Sequence, residues 1–347
     1  MSDGTTSVRV DIHAHLMPSA VFERLPDGLS VRTGDGLNFA LSVEGRGGQT
    51  GRPAVPALQD HAGHRRTQQA RGVDQSLIGP WIDMIVAPVD AVTQTQFCRV
   101  VNEALAEAVT GEDRFLAALP DLDGAAAADV LAEAMELGAA GGMLSTNTEK
   151  GTLSRSDFDH LWGAAESLGA PLMLHPGAFE PAEKMAEFFL VNLVGNPFET
   201  TLAVGSLLGA EVPDRFPDLR MVLAHGGGAF PYQYARMDAG FTRWPSLRDR
   251  TSRLPSDHLR WFHYDTVLFD DAPTRYLLDL VGDDRVLAGS DCPFTMSDYR
   301  PFENPSALGL DSAGTDRVLG GNAAELFDLA RPSPTTDSPR AETDERE

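Results

Sequence analysis

Asp11-Ile12-His13-Ala14-His15-Leu16-Met17-Pro18 is the stretch from which the fold can be read. It continues the strand-like run Ser7-Val8-Arg9-Val10-Asp11. Alternate side chains of a strand share a face, so His13 and His15 point the same way with only the small Ala14 between them. Two neutral imidazoles at the mouth of a strand supply half of a tetrahedral zinc shell, with bonds of about 2.0–2.1 Å. Two ordinary surface histidines would look the same in isolation. Later strand ends add the weight.

Downstream, apolar runs alternate with helical periodicity. Gln75 to Gly79 reads as a strand, and Phe97, Val101, Leu105 and Val109 recur at helical spacing. Phe115 to Leu119 is a strand, Val130, Ala134 and Leu137 mark a helix, and Gly141 to Leu144 is a short strand. Ser154 with Asp157 resembles a capping box ahead of Phe158, Leu161, Trp162, Ala165 and Leu168. Pro171 to Leu174 leads into His175, a helical region fills Ala182 to Ala210, and Arg220 to Ala224 leads into His225. Trp261 to Val267 is a strand followed by a helix around Tyr276 to Val281. Arg285 to Ser290 leads into Asp291, and Asn322 to Ala330 is a closing helix. About eight strand–helix units in alternation predict an α/β fold, a TIM-like (β/α)8 barrel with a parallel sheet. An open doubly wound sheet would carry a Gly-rich phosphate turn where this chain has His-Ala-His.

Residues 1–330 are read as one barrel. Between about 18 and 64 the chain is rich in Gly, Pro and polar residues, and Leu37, Phe39, Leu41 and Val43 alternate within it. This predicts a small β-hairpin inserted after the first strand. The Pro-, Ser- and charge-rich tail 331–347 is expected to be disordered.

The 347 residues carry a net charge of −23, which opposes nucleic acid and anionic membranes. Lys150 and Lys184 are the only lysines, so arginine is the default cation here. Cys98 and Cys292 are too few for a disulfide framework. Met1 to Thr6 does not read as a secretory signal, and no apolar run could span a bilayer. The expectation is a soluble cytoplasmic protein.

In a barrel of this kind the C-terminal strand ends face one active site. Four of them carry metal-capable groups: His13 with His15, then His175 in Leu-Met-Leu-His-Pro, His225 in Val-Leu-Ala-His-Gly-Gly-Gly, and Asp291 in Leu-Ala-Gly-Ser-Asp. A single histidine after a strand is more often a satisfied core residue; four coincidences on one rim point to a metal site. His61 and His64, placed in a polar loop, receive no role, nor do His160, His258 and His263. His263 shares a strand face with Asp265.

The motifs Asp11 to Pro18, Leu174 to Pro176, Ala224 to Pro231 and Gly289 to Phe294 resemble the decarboxylase branch of the amidohydrolase superfamily. Phe198 to Thr201 and Arg215 to Leu219 extend the resemblance, which runs from about Val8 to Leu329. It implies one divalent metal, most often zinc, held by His13, His15, His175 and Asp291, with His225 as acid/base partner. It implies substrate-carboxylate binding by Arg52 and Arg236, the latter reaching into a neighbouring subunit's site, hence a homodimer. Phe294, and Phe230 after the glycines, would wall the pocket. No lysine stands at the fourth strand end, Leu144-Ser145-Thr146, so the site is expected to be mononuclear. Where a decarboxylase of this branch has Trp-Asp after His-Pro, this chain has Gly177-Ala178, and Asn192 stands where that enzyme has a further Trp. Loss of that stacking surface, worth roughly 1–3 kcal/mol for a planar ligand, re-selects the substrate. The expected activity is metal-dependent, non-oxidative decarboxylation of a small carboxylated aromatic or muconate-semialdehyde-like acid. The alternative is a metal-dependent hydrolase of a lactone, amide or activated C–C bond on the same barrel.

Overall fold

The structure is a computed structural model that describes residues 8–33, 39–43, 56–85, 89–146, 148, 151–177 and 185–329. Among the described residues the strands are β1 Val10–Leu16, β2 Leu29–Thr33, β3 Phe39–Val43, β4 Gln75–Pro80, β5 Arg114–Ala118, β6 Gly141–Ser145, β7 Leu172–His175, β8 Met221–Leu223, β9 Phe262–Asp265 and β10 Val286–Leu287. β1 and β4 to β10 form one sheet in sequence order with parallel pairing. The seam between its two ends is closed by Ile12 N donating to Ala288 O at 3.0 Å and Asp291 N to His13 O at 2.7 Å. The result is a (β/α)8 barrel. β2 and β3 pair antiparallel outside it.

The long helices between the strands are α1 His61–Ala70, α2 Ala91–Ala108, α3 Gly124–Glu136, α4 Asp159–Leu168, α5 Asn196–Gly209, α6 Phe230–Arg243 and α7 Asp271–Val281. Several start on an aspartate. Asp90 accepts from the amides of Val92 and Thr93, Asp123 from Ala125 and Ala126, and Asp270 from Ala272. Each cap satisfies orphan amide donors and is worth about 1 kcal/mol. Part of the acidic composition is therefore structural.

The strands read as apolar runs because both of their faces are buried. Val10, Ile12, Leu77, Leu116, Met143, Met173, Val222 and Leu287 fill the lumen. Ala323, Leu326, Phe327 and Leu329, at the end of the described chain, join the same cluster and floor it. The opposite strand faces pack outward against the helices. No helix among the described residues is long and apolar enough to cross a membrane.

Three local expectations need correction. β1 continues to Leu16 because its pairing with β4 runs on to Pro80, so His13 and His15 lie inside the strand, not at its mouth. His61 and His64 sit on α1, which Asp60 caps by accepting from Gly63 N at 2.8 Å. The polar stretch thus ends in a helix rather than in loop. The Ser154–Asp157 capping box is absent: Arg155 holds Asp157, and Ser154 shares a hydrogen bond with Thr152. Leu37, Arg52 and the tail 331–347 lie outside the described residues.

Candidate metal centre

A slip in the β1–β4 register between Asp11 and Ala14 sets the geometry of the site. Below it, Val10 and Ile12 point into the lumen; above it, Ala14 and Leu16 point out to the helices. Irregularities of this kind re-aim side chains, and here the slip turns His13 and His15 inward. Asp11 faces the other way and is fully buried. It accepts from Gln68 Nε2 at 2.6 Å, Ser290 N at 2.9 Å, Ser290 Oγ at 2.5 Å and His13 N at 3.1 Å. Burial pushes its carboxyl up to about 6 against those hydrogen bonds. Asp11 therefore ties α1, β1 and the exit of β10 together behind the metal-capable groups.

Each inward imidazole has one nitrogen engaged by an acceptor. His13 Nδ1 lies 2.6 Å from Asp265 Oδ2, His15 Nδ1 2.9 Å from the Pro80 carbonyl, and His175 Nδ1 3.0 Å from the Pro176 carbonyl. Carbonyls and carboxylates cannot donate, so the Nδ1 proton is fixed in all three and every Nε2 presents a lone pair inward. His13 Nε2 and His15 Nε2 are 3.1 Å apart. Asp291 Oδ1 stands 3.4 Å from the first and 3.1 Å from the second. His175 Nε2 is buried with no hydrogen-bond partner among the described residues. Lone pairs facing lone pairs and a carboxylate repel unless a cation lies between them. Ligands at 2.0–2.1 Å in a tetrahedral shell are separated by about 3.3 Å, which matches these spacings. The residues fit a single divalent ion.

His225 faces the same point: its Nε2 is 3.5 Å from Asp291 Oδ2, and its ring centroid is 5.2 Å from those of His13 and His175. One atom each from His13, His175, His225 and Asp291 falls within 4.8 Å of all the others. His13 and His15 have fully covered side chains, whereas His225 and Asp291 retain 16% and 14% exposure, so the cluster opens on their side. Both residues hold left-handed backbone, φ 54° and 60°. That is uncommon outside glycine and clusters at functional sites.

The electrostatics answer to the same arrangement. Burial opposes charge on Asp291, but His13, His15 and His225 outweigh it and hold the carboxyl well below its ordinary range. Burial, then the neighbouring imidazoles, push His175 well below its usual value. For His13, burial is outweighed by Asp291, Asp265 and Asp11 together, and the imidazole is raised.

The remaining expected residues scatter. Phe294 is half-buried, with its ring centroid 5.3 Å from that of His15. Phe230 is not a pocket wall; it is fully buried against Phe262 in the outer core. Arg236 stands exposed on α6, and Asn192 is exposed in the π turn Val191–Gly195 that precedes α5. The sequence reading passed over Asp11, Pro80 and Asp265. For Asp265 the strand face shared with His263 was legible, but only the pairing tells where that face points. His263 and Asp265 pair with Val222 and Leu287, two lumen residues, so their shared face is the interior.

The chain matches the Amidohydrolase family over residues 10–329. It belongs to that family. A curated relative, 2-amino-3-carboxymuconate-6-semialdehyde decarboxylase of Dictyostelium discoideum, is 31% identical over 197 residues, 56% of this chain and 55% of that one. The aligned stretch thus spans about half of that relative's length. In fold the chain is similar to 5-carboxyvanillate decarboxylase from Sphingomonas paucimobilis, with TM-score 0.77 and 22% identity over 94% of this chain and 100% of that one. It is similar too to a dihydroxybenzoic acid decarboxylase from Polaromonas sp. with bound manganese and 2-nitroresorcinol, with TM-score 0.74 and 20% identity over 94% and 98%.

Proposed function

We propose that this chain is a metal-dependent, non-oxidative decarboxylase of a small carboxylated aromatic or muconate-semialdehyde-like acid. The observation that carries the reading is the convergence of three tautomer-fixed Nε2 lone pairs and the Asp291 carboxylate on one buried point. The decarboxylase names of the relative and of both structural neighbours support the choice of reaction.

His13, His15, His175 and Asp291 would hold one divalent ion. Zinc is the first candidate for a His3Asp set, with manganese next, since such sets accept several ions. A divalent ion bound there supplies Lewis-acid charge that stabilises negative charge developing on substrate oxygen. His225, on the open side, exchanges the proton through Nε2. The substrate carbon takes up that proton, its bond to the carboxyl carbon breaks, and the electron pair of that bond stays with the substrate as CO2 leaves. No oxidant or reductant enters. Phe294 offers a ring wall beside His15, and Asn192 stands in for an aromatic one. Arg52 would anchor a carboxylate with its guanidinium fork.

Arg236 would do the same in the site of a second copy of the chain. Its exposure on α6 accords with that, as do the apolar side chains that the neighbouring segment leaves in solvent: Phe188, Phe189, Leu193, Phe198 and Leu202. Patches of this kind mark interfaces. Cys98 and Cys292 are buried and unpaired, in keeping with a reducing cytoplasm.

The test is CO2 release by metal-loaded protein across small carboxylated aromatics and muconate semialdehydes. His225→Asn should lower kcat about 10²–10⁴-fold. Hydrolysis of lactones or amides without CO2 release would overturn the reading. Mixing Arg236→Ala with His225→Asn protein should restore activity through hybrid dimers; additive activities would overturn the shared site.

A further inference from the structure

We infer that Asp265 is a positioning residue that sets both halves of the site with one carboxylate, fixing the tautomer of His13 through Oδ2 and the His225 turn through Oδ1. The inference deepens the metal-site reading above and rests on it.

Oδ2 accepts a hydrogen bond from His13 Nδ1 at 2.6 Å. Oδ1 accepts from Gly226 N at 2.8 Å and from Val267 N at 3.1 Å. Gly226 follows His225 directly, and both hold left-handed backbone, φ 59° and 54°. A turn of that shape persists only when its surroundings over-determine it. The Gly226 amide bond to Asp265 is one constraint; Leu268 is another, since a Cβ on Gly226 would meet its Cδ2 at 2.5 Å.

The reach of Asp265 is unusual. It lies on β9 and His13 on β1, with β10 between them in the sheet. Just past β10 the chain passes Gly289, where a Cβ would stand 2.9 Å from His13 Cβ and 3.3 Å from Asp265 Cβ. The missing side chain leaves the gap through which the carboxylate crosses a whole strand. Ordering of a ligand imidazole by an outer carboxylate is a general device. Here the same group also holds the turn that carries the proton-exchanging residue.

Asp265→Asn separates the two roles. Two amide donors, from Gly226 and Val267, require an oxygen at Oδ1, so the new amide nitrogen is forced toward His13. That nitrogen donates, which drives the His13 proton to Nε2, where it blocks the inward lone pair. The expected result is a 10–100-fold loss of Mn²⁺ affinity by titration calorimetry, with the metal-free Tm preserved. Histidine ¹⁵N NMR of the metal-free protein should show one imidazole changing from the Nδ1–H to the Nε2–H form. Asp265→Ala frees the turn as well, so at saturating Mn²⁺ its kcat should fall further than that of Asp265→Asn. Gly289→Ala should weaken Mn²⁺ binding like Asp265→Asn, by wedging the pair apart. Unchanged Mn²⁺ affinity and unchanged imidazole forms in Asp265→Asn would overturn the inference. If wild-type protein bound no Mn²⁺ or Zn²⁺, the metal-site reading would fail, and the NMR comparison would still decide the role of Asp265.

Discussion

At the lower end of the lumen, Val10, Ile12, Met173, Val222 and Leu287 pack against Ala323, Leu326 and Phe327. One to three residues further along β1 and β7, His13, His15 and His175 join Asp265 of β9 in bringing buried polar atoms together. The lower end is apolar and complete. The upper end is electrostatically incomplete, because it places lone pairs against lone pairs. Identical strands build both, so the difference lies in which side chains they carry and not in the scaffold. Barrels of this class divide stability from chemistry in this way. The division predicts that changes at the two ends have opposite signatures.

The largest contrast comes from His175→Ala. It should abolish metal binding and CO2 release while leaving the metal-free Tm equal or higher, since a buried nitrogen without a partner is removed. A lower metal-free Tm would break the comparison. Removal of the ion by a chelator comes next. If the ion is present at about 1,000 times its Kd, its loss should lower stability by about 4 kcal/mol, read from denaturant curves with and without metal. Met173→Ala tests the other end. It should cost about 2–5 kcal/mol in the same curves, with Mn²⁺ affinity unchanged. A loss of affinity comparable to that of His175→Ala would show the two ends to be coupled.

The smallest effect concerns His263, which shares the lumen face with Asp265 but lies at the lower end. Burial, then Arg285, push its imidazole down to about 4. The folded state therefore stays neutral while the unfolded chain, near 6.5, takes up a proton. Stability should fall as pH drops from about 6.5 to 4, by up to about 3 kcal/mol from this residue. His263→Gln keeps an acceptor for Arg285 and removes the titration. The acid limb of its stability curve should flatten by about 1.4 kcal/mol per pH unit in that window. An unchanged slope would remove His263 from the account.

Much of this was legible in the chain. Alternation of apolar runs with helical periodicity specified the barrel because parallel strands are buried on both faces. His175, His225 and Asp291 announced themselves by following such runs directly. What escaped depended on phase and depth. The register slip in β1 changes which face Ile12 and His13 occupy, and no residue pattern marks it. Asp265 ends a strand as Asp291 follows one, but its role depends on the gap at Gly289, a contact across three strands. His61 and His64 looked like loop residues because α1 is polar; its helicity comes from the Asp60 cap and from docking Gln68 on Asp11.

The seam has a temporal consequence. Asp11 and Ser290 bond across 279 positions of sequence, and the floor of the lumen is laid by Ala323 to Leu329. A ribosome delivers these partners far apart in time. The cylinder cannot close until β10 and the floor segment have emerged, so closure waits on the most distant pairing. The cluster that would hold an ion is completed only then, since Asp291 arrives just after the closing strand.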